Sequence, residues 1–489
     1  MQQDKTPLLD AITKLIDTKP AYFRIPGHRL EKGVSEKWTA KVGTEIFAYD
    51  VTETPLTDDL HSPEGAIEDA QELLRDLYQA DKSFFLVNGS TCGNEAMVIS
   101  SALEGQEIMI ARNAHKSAMM GLIISGAKPV YVMPKVLEDW SLQGGISPED
   151  VSATFKKHPN CKALFLVSPS YYGLTSDIEE LAKICHEHHA ILLVDEAHGG
   201  HVYFHEQLPN GALEQGADMC VQSMHKVTGA LTQSSVLHIK SERVNKEQVA
   251  ANLHIVQSTS PNYLLMTSLD CARYELAMHG KEMQQQAYEL AMYARSEINK
   301  IEGFACLGEE VKENAAIKQI DMTRLVISAK ELGMTGFALE ELLFEEYAVN
   351  VELSDYENVL AIVTYANTNE DIDRLIQACK DIAVKNDKDV RKDWTPVQPK
   401  LPEIPEQVMT PRQAYFAPKR KIAWADAVGC ISGEMIAPYP PGIPIIYPGE
   451  KITKEIWEYL EQYRKDGRHI HGPKDAQLNT IEIALAVER

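Results

Sequence analysis

The stretch Ile191-Leu-Leu-Val-Asp-Glu-Ala-His198 decides the fold class. Four consecutive apolar residues predict a strand that is buried on both faces, and Asp195 follows at the carboxyl end of that strand. Open sheets of such strands carry helices on both sides and bind ligands at their carboxyl edge. Asp195 is therefore a candidate for holding a protonated ring nitrogen or a metal ion. The alternative is that its carboxylate only caps the next turn.

Short apolar runs of the same kind alternate with helical segments on both sides of this stretch. The predicted strands are 84–87, 107–111, 130–133, 163–167, 191–194, 218–222 and 235–239. The predicted helices between and before them are 66–80, 94–103, 116–125 and 178–189. This alternation predicts an α/β domain with a mostly parallel sheet over residues 66–300.

The rest of the chain divides into four parts. Residues 1–65 form an N-terminal arm, and residues 301–393 read as a smaller α/β domain. In that domain Thr335 is a predicted cap for a helix ending near residue 346, and Thr368 with Asp371 resembles a capping box. Six prolines between residues 396 and 418 predict a linker, 394–418, without a helix. Residues 419–489 form a C-terminal domain.

Composition excludes several classes of function. Lys plus Arg number 48 and Asp plus Glu number 71 among 489 residues, so the formal net charge is −23. A chain this acidic repels phosphate backbones, and we expect no nucleic-acid partner. Eight scattered cysteines without a C-x-x-C pair favour a reducing compartment. No signal peptide and no apolar run of ~18 residues is present, which predicts a soluble, cytoplasmic protein without a membrane partner.

Two further motifs point to a ligand with an anionic group and an aldehyde. Val87-Asn-Gly-Ser-Thr-Cys-Gly-Asn94 lies between a predicted strand and a helix, and Ser90, Thr91 and the helix N-terminus suit a phosphate. Gln222-Ser-Met-His-Lys226 follows another apolar strand. Lys226, shielded from water, would have a lowered pKa and could bind an aldehyde as a Schiff base. An ordinary polar turn and a surface lysine are the competing interpretations.

Other cofactor signatures are absent from the sequence. It contains neither G-x-G-x-x-G nor a P-loop, which argues against a dinucleotide or nucleoside-triphosphate enzyme. Cys185-His-Glu-His-His189 is the nearest approach to a metal cluster, and a solvated helix end is the favoured interpretation. We therefore expect no metal. A phosphate site, an acid, a Schiff-base lysine and a ring-stacking candidate, His115, together match what pyridoxal 5′-phosphate (PLP) needs.

With these residues in view, the chain resembles the Orn/Lys/Arg decarboxylase family of PLP enzymes, whose large domain has the aspartate-aminotransferase type of fold. The resemblance rests on these segments: Ile25-Pro-Gly-His28, Asp59-Leu-His-Ser-Pro-Glu-Gly65, Asn88-Gly-Ser-Thr91, Arg112-Asn-Ala-His-Lys-Ser117, Asp195-Glu-Ala-His198, Ser223-Met-His-Lys226, Ser258-Thr-Ser-Pro261 and Gly433-Glu-Met-Ile-Ala-Pro-Tyr-Pro-Pro-Gly-Ile-Pro444. They span nearly the whole chain.

The resemblance implies a role for each matching site residue. Lys226 is implied to bind the cofactor aldehyde, with His225 beside it and His115 stacked on the ring as further catalytic residues. Some relatives carry Trp in place of His198. The implied cofactor-binding residues are Ser90, Thr91, His115, Asp195, Ala197, His198, Ser223, His225, Lys226 and Ser258. Ser258 is implied to reach the phosphate of a second subunit. Glu434 is implied to meet the distal cation of the substrate.

The implied reaction is decarboxylation of a basic L-amino acid, with L-arginine to agmatine and CO₂ in polyamine biosynthesis as the favoured assignment. Lysine and ornithine are the alternative substrates. A PLP aminotransferase or lyase is a second class, and a catalytically silent regulator would be expected to have lost Lys226 or Asp195, both of which are present. The chain begins near Ile25-Pro-Gly-His28, so we expect no N-terminal wing domain. The expected assembly is a homodimer or a modest homo-oligomer with shared active sites.

Overall fold

The computed structural model describes residues 1–313, 316–386, 400–438 and 442–485. Its α-helices are α1 (Pro7–Asp17), α2 (Glu36–Val42), α3 (Glu45–Ala48), α4 (Ala66–Leu77), α5 (Gly89–Ser101), α6 (Lys116–Ser125), α7 (Pro148–Lys157), α8 (Ile178–Glu187), α9 (Met224–Val227), α10 (Lys246–Val256), α11 (Tyr263–Ile298), α12 (Gly336–Tyr347), α13 (Asn369–Asn386), α14 (Pro411–Phe416) and α15 (Lys454–Lys465).

The strands of the same residues form five sheets. They are β1 (Lys82–Leu86), β2 (Glu107–Ala111), β3 (Lys128–Val132), β4 (Val136–Leu137), β5 (Leu142–Gln143), β6 (Ala163–Val167), β7 (Ile191–Asp195), β8 (Met219–Gln222), β9 (Ser235–Ile239), β10 (Ala305–Cys306), β11 (Arg324–Ser328), β12 (Leu353–Ser354), β13 (Asn358–Ile362), β14 (Lys419–Ala423), β15 (Ala437–Pro438), β16 (Ile470–His471) and β17 (Thr480–Ala484).

The large sheet confirms the predicted fold class. Its seven strands lie in the order β1-β9-β8-β7-β6-β2-β3, and every neighbouring pair from β8 to β3 is parallel. Strand β9 runs antiparallel to both β1 and β8, so β1 points the same way as β8. The carboxyl ends of β1, β2, β6, β7 and β8 therefore meet at one edge, which is where residues from five separate parts of the sequence converge.

Helix α5 differs from its prediction. The sequence predicts a helix from residue 94, whereas α5 begins at Gly89, five residues earlier and directly after β1. Gly93 explains how the first turn packs, because a Cβ at this position would lie 2.7 Å from side-chain atoms of Leu86 and Val221. The polar, glycine-containing turn is thus helical because it packs tightly on the sheet, and its free N–H groups face the carboxyl edge.

A second sheet, with four strands, is antiparallel and has the order β10-β11-β13-β12. Helices α12 and α13 pack with it in one hydrophobic core. Both predicted caps are present. Thr335 Oγ1 accepts a hydrogen bond from the backbone N–H of Ala338 at 3.1 Å. Thr368 and Asp371 bond reciprocally, with the Asp371 carboxylate accepting from Thr368 N at 2.9 Å and Thr368 Oγ1 accepting from Asp371 N at 3.3 Å.

The proline-rich segment corrects one prediction. Helix α14 lies inside the stretch that was expected to hold no helix. Pro411 occupies the first helical turn, where no N–H is needed, and Thr410 with Gln413 forms a capping box. The first part of that stretch, 394–399, lies outside the described residues. The domain bounds drawn from the sequence stay a prediction.

Helix α11 runs from the hydrophobic core of the large sheet to the hydrophobic core of the antiparallel sheet β10-β11-β13-β12. It has 36 residues and is therefore ~54 Å long. Near its start Leu269 and Leu276 pack into the core of the large sheet, and near its end Leu290 and Ile298 pack with the antiparallel sheet. In the described part of the chain, no helix combines the length and the apolar character that crossing a bilayer requires.

The cap of α12 generates the first prediction. Thr335→Ala removes the acceptor for the Ala338 N–H and should weaken the first turn of α12 by about 1 kcal/mol, which is roughly fivefold in its local opening equilibrium. Hydrogen exchange followed by mass spectrometry on peptides from α12 measures this change. Thr335→Ser keeps the acceptor and should exchange like the wild type. Equal acceleration in both variants would contradict the assignment.

Candidate active site

A cavity lies at the carboxyl edge of the large sheet. It is lined by Ser90, Asn113, His115, Gln143, Val167, Ser170, Tyr171, Tyr172, Asp195, Ala197, His198, Lys226, Gly442 and Ile443. Six residues singled out in the sequence therefore share one cavity, namely Ser90, His115, Asp195, Ala197, His198 and Lys226. They follow β1, β2, β7 and β8, whose carboxyl ends the topology brings together.

Lys226 lies on the short helix α9, which continues directly from β8 through Ser223. Its Nζ forms a hydrogen bond with Nε2 of His198 at 2.9 Å and lies 5.1 Å from the centre of the Tyr171 ring. Burial lowers the pKa of Lys226 below its usual value, against the opposing effect of the Asp195 carboxylate. A lysine with a lowered pKa in a cavity is suited to attack an aldehyde as a neutral amine.

His198 is the hydrogen-bond partner that fixes the Lys226 amine in place. Burial, and then the charge of Lys226, lowers the pKa of His198 well below its usual value, so its ring is neutral. With the ring proton on Nδ1, Nε2 accepts from Lys226, and with the proton on Nε2 the ring donates to the neutral amine. The ring of Tyr171 covers His198 with 4.1 Å between the ring centres. His198 and Tyr171 together therefore orient the Lys226 amine at the cavity.

Asp195 is only 3% exposed and accepts two hydrogen bonds within the protein. Asn94 Nδ2 donates to its Oδ2 at 2.7 Å, and the backbone N–H of Ala197 donates to its Oδ1 at 3.1 Å. Asn94 also donates to Ser117 Oγ at 3.0 Å. Sequence reasoning gave Asn94 no role, although it closes the motif read as a phosphate site. Its position on the buried face of α5 is the signal that it orients the acid.

His115 caps helix α6 and stands beside the same network. Its Nδ1 accepts from the Ser117 backbone N–H at 3.3 Å and lies 2.9 Å from Ser117 Oγ. Burial lowers the pKa of His115, against the effect of Asp195. A chain of hydrogen bonds therefore runs from His115 through Ser117 and Asn94 to Asp195. These hydrogen bonds fix the position of His115, which lines the cavity, relative to the Asp195 carboxylate.

The hydroxyl groups expected at a phosphate are partly assembled. Ser223 Oγ donates to Ser90 Oγ at 2.9 Å, at the N-terminus of α5. Thr91 lies in the same turn but outside the cavity lining. His225 also lies outside the lining, and its Nδ1 donates to the carbonyl of Ser234 at 3.0 Å. The roles of Thr91 and His225 stay predictions.

Two other predicted residues are not in the cavity of their own chain. Ser258 is exposed, and its carbonyl accepts from Nε2 of His61 at 2.8 Å. Glu434 is buried, and its carboxylate accepts from the backbone N–H groups of Lys474 at 2.9 Å and Glu482 at 2.8 Å. The tail motif enters the cavity through Gly442 and Ile443 instead. The cross-subunit role of Ser258 and the substrate role of Glu434 stay predictions.

The lining residues fit the groups of PLP. An amine, a carboxylate and a hydroxyl-bearing helix N-terminus stand around one cavity, which is the donor set that the aldehyde, ring nitrogen and phosphate require. Three lining atoms, Asn113 Oδ1, Gln143 Oε1 and His198 Nδ1, are buried and have no hydrogen-bond partner among the described residues. Buried polar atoms are normally bonded, so their arrangement suits a polar ligand.

The histidine cluster on α8 has other contacts. Nε2 of His186 lies 2.8 Å from the buried carboxylate of Asp218, and His188 stacks on Phe155 with 4.6 Å between ring centres. Within the described residues, no group of three or more His, Cys, Asp or Glu side chains is arranged to hold a metal ion.

Comparison of the sequence with known proteins identifies the family of this chain. The sequence profile described as "Orn/Lys/Arg decarboxylase, major domain" matches residues 6–371, and the profile of the C-terminal domain of that family matches residues 397–475. The chain belongs to the Orn/Lys/Arg decarboxylase family. The resemblance drawn from the motifs is confirmed, and with it the prediction of an amino acid decarboxylase.

Relatives match over nearly the whole chain. An arginine decarboxylase of Bacillus subtilis (strain 168) is 38% identical over 99% of this chain and 98% of its own length. An inducible lysine decarboxylase of Escherichia coli (strain K12) is 23% identical over 95% of this chain and 78% of its own length. The crystal structure of the lysine decarboxylase of Francisella novicida shares the fold, with a TM-score of 0.85, 21% identity and coverage of 99% of this chain and 81% of that one.

The lysine in the cavity generates the second prediction. Incubation with PLP followed by borohydride reduction should fix the cofactor to Lys226, because its lowered pKa makes it the most reactive buried amine at the site. Peptide mass spectrometry locates the label. Lys226→Arg keeps the positive charge and should abolish both the label and the visible absorbance that stays with the protein after unbound PLP is removed by gel filtration. A label on another lysine, or unchanged absorbance in Lys226→Arg, would show that the lysine is misassigned.

Proposed function

We propose that this protein is a PLP-dependent arginine decarboxylase that converts L-arginine to agmatine and CO₂. The observation that carries the proposal is the cavity lined by the Lys226 amine, the Asp195 carboxylate and Ser90, whose hydroxyl accepts from the buried Ser223 Oγ. Family membership over most of the chain supports the reaction type. The sequence arguments for a reducing compartment, with all eight cysteines free, favour the cytoplasm as the place of this reaction.

PLP, when bound, supplies an aldehyde that reacts with amines and a ring that takes up the electrons of a bond to the α-carbon. The residues of this chain would hold it at three points. Lys226 would hold the aldehyde end, and Asp195 would keep a proton on the ring nitrogen, with Asn94 fixing the carboxylate. Ser90, Ser223 and the free N–H groups of α5 would bind the phosphate. His115 would cover one face of the ring.

Proton movement in this site centres on the Lys226 Nζ. The hydrogen bond between Nζ and the neutral His198 ring holds the amine at the cavity. Once CO₂ has left, a proton must be returned to the α-carbon, and Lys226 is the group placed to give it. His225 is the weaker candidate, because its Nδ1 bonds the Ser234 carbonyl and its side chain lies outside the cavity lining.

Arginine is the substrate that the observations favour. The full-length relative at 38% identity is named arginine decarboxylase, whereas the lysine decarboxylase is 23% identical. The cavity also contains two buried amide oxygens, Asn113 Oδ1 and Gln143 Oε1, that lack a partner among the described residues. A guanidinium brings five N–H donors in a plane and can serve two such acceptors, whereas an ammonium brings three donors on one atom. Lysine and ornithine remain the alternative substrates.

We also propose that the active enzyme is a homodimer or a larger homo-oligomer. The segment before α3 exposes large apolar side chains in the single chain, with Phe23 exposed by 90%, Ile25 by 60% and Trp38 by 57%. An apolar group of this kind on a chain of this size suits burial against a second copy. The exposed Ser258 loop, held by His61, would then reach the neighbouring phosphate site.

Product analysis tests the proposed reaction. The holoenzyme, given arginine, lysine and ornithine together without any keto acid, should release agmatine and CO₂ in equal amounts and consume arginine first. Mass spectrometry identifies the amines. Cadaverine or putrescine as the main product would reassign the substrate. A keto acid product, or no CO₂ from any of the three, would overturn the reaction type.

The assembly can be tested on the exposed apolar segment. Phe23→Asp should shift the sedimentation of the holoenzyme toward the monomer and lower its specific activity, increasingly so on dilution, because the variant carries a charge into the proposed contact. Phe344→Asp is the matched control, since Phe344 is also an exposed phenylalanine, at 59%, but lies on α12. Fully active monomers, or equal effects of both variants, would contradict a shared site.

A further inference from the structure

The Arg112 guanidinium connects the cofactor cavity to the C-terminal part of the chain. Arg112 directly follows β2 and is 6% exposed. Its two terminal nitrogens donate to the Glu450 carboxylate at 2.7 and 2.9 Å, and one of them also donates to the carbonyl of Ile445 at 2.8 Å. A single side chain therefore binds the segment 442–450 at two places, 333 and 338 residues away in sequence.

The surroundings make this contact strong and directional. Glu450 is fully buried, and its carboxylate also accepts from the backbone N–H of Tyr447 at 2.7 Å. The guanidinium carbon lies 4.7 Å from the ring centre of Tyr131 and 4.4 Å from that of Tyr447, and the two rings stack on each other. Burial alone would lower the pKa of Arg112, but the Glu450 carboxylate raises it above its usual range. Burial also raises the pKa of Glu450, against the effect of the Arg112 guanidinium. Both carboxylate oxygens accept from the guanidinium, so the contact is bidentate, as between a carboxylate and an arginine.

Both ends of the contact lie next to the cavity wall. Asn113 is the residue after Arg112, and His115 follows two residues later; both line the cavity. On the other side Ile443, which also lines the cavity, lies two residues before Ile445. The guanidinium therefore joins the wall that carries the ring-stacking histidine to the wall that the tail contributes.

We propose that Arg112 is a positioning residue that holds the segment 442–450 over the cofactor cavity and so governs retention of PLP. The proposal rests on the proposed function for the identity of the cofactor. Arg112 does not line the cavity itself. It acts through the placement of His115 on one side and of Gly442 and Ile443 on the other.

The chain offers a second anchor that would keep the C-terminal part attached without Arg112. Arg412, on α14, donates to the carbonyls of Ile123 at 2.8 Å and Ile124 at 3.0 Å at the end of α6. Loss of the Arg112 contact should for this reason loosen the cavity wall locally. It should not release the C-terminal part as a whole.

The test compares Arg112→Lys with wild-type holoenzyme. Lysine keeps the charge but offers a point donor, so it cannot bond both Glu450 oxygens and the Ile445 carbonyl. We expect PLP to dissociate about tenfold faster in dialysis or competition experiments. Hydrogen exchange should rise in peptides covering 112–118 and 442–450. Unchanged retention together with unchanged exchange in these peptides would overturn the proposal.

Arg273→Lys is the matched control. Arg273 is also buried and pairs with Asp270 at 2.8 Å, but it donates to the carbonyls of Gln3 and Lys5 at the N-terminal end of the chain. This variant should raise exchange near residues 3–12 and leave PLP retention unchanged. A similar loss of PLP from both variants would mean that Arg112 acts through general stability, and the proposal would be wrong.

A second variant guards against a folding defect. Removing one partner of a buried pair leaves an unpaired charge, whereas replacing both with apolar residues is usually tolerated. Arg112→Met combined with Glu450→Met should therefore fold but still lose PLP faster than wild type; normal retention in this folded protein would overturn the proposal. PLP retention and hydrogen exchange do not depend on turnover. A wild-type enzyme that released no CO₂ would refute the proposed function, whereas these two measurements would still decide the role of Arg112.

Discussion

An ionisable carboxylate held inside an apolar sheet is the constraint on which the rest of the site depends. Asp195 ends the central strand β7 at 3% exposure, and such a group is stable only when donors surround it. Asn94 and the Ala197 N–H supply them, and Asn94 extends the network to Ser117 and His115. The Asp195 carboxylate therefore requires α5 to lie against the sheet, as does the proposed phosphate site at the N-terminus of that helix.

Much of the large sheet could be predicted because its strands are buried on both faces. Most such strands appear in sequence as short, mainly apolar runs, and β2, β6 and β9 have the predicted bounds. The start of α5 could not be predicted, because a polar turn with two glycines is equally compatible with a loop. What makes it helical is the close approach of Gly93 to Leu86 and Val221, which only the folded chain reveals. Helix α14 was missed for a related reason, since a proline at a first helical turn looks in sequence like one that ends a helix.

Site residues could be predicted where their chemical type and their place after a strand reveal them. Contacts between residues far apart in sequence could not be predicted. Lys226, Asp195 and His115 stand out because each follows an apolar strand, and the parallel topology then brings strand ends together. No sequence rule pairs Arg112 with Glu450 across 338 residues. The same limit applies to the tail motif, of which Gly442 and Ile443 reach the cavity while the Glu434 carboxylate is bound by backbone N–H groups.

The continuous helix α11 has a consequence for attempts to dissect the chain. Its first half completes the core around the large sheet, and its second half completes the core of the antiparallel sheet. A fragment that ended at Ile298 would present Leu290, Ala291, Ala294 and Ile298 to water as an uncovered stripe. Such a fragment would be prone to aggregation. The part of the chain that carries the large sheet is therefore not a separable module, because the second half of α11 needs the antiparallel sheet to cover its apolar side chains.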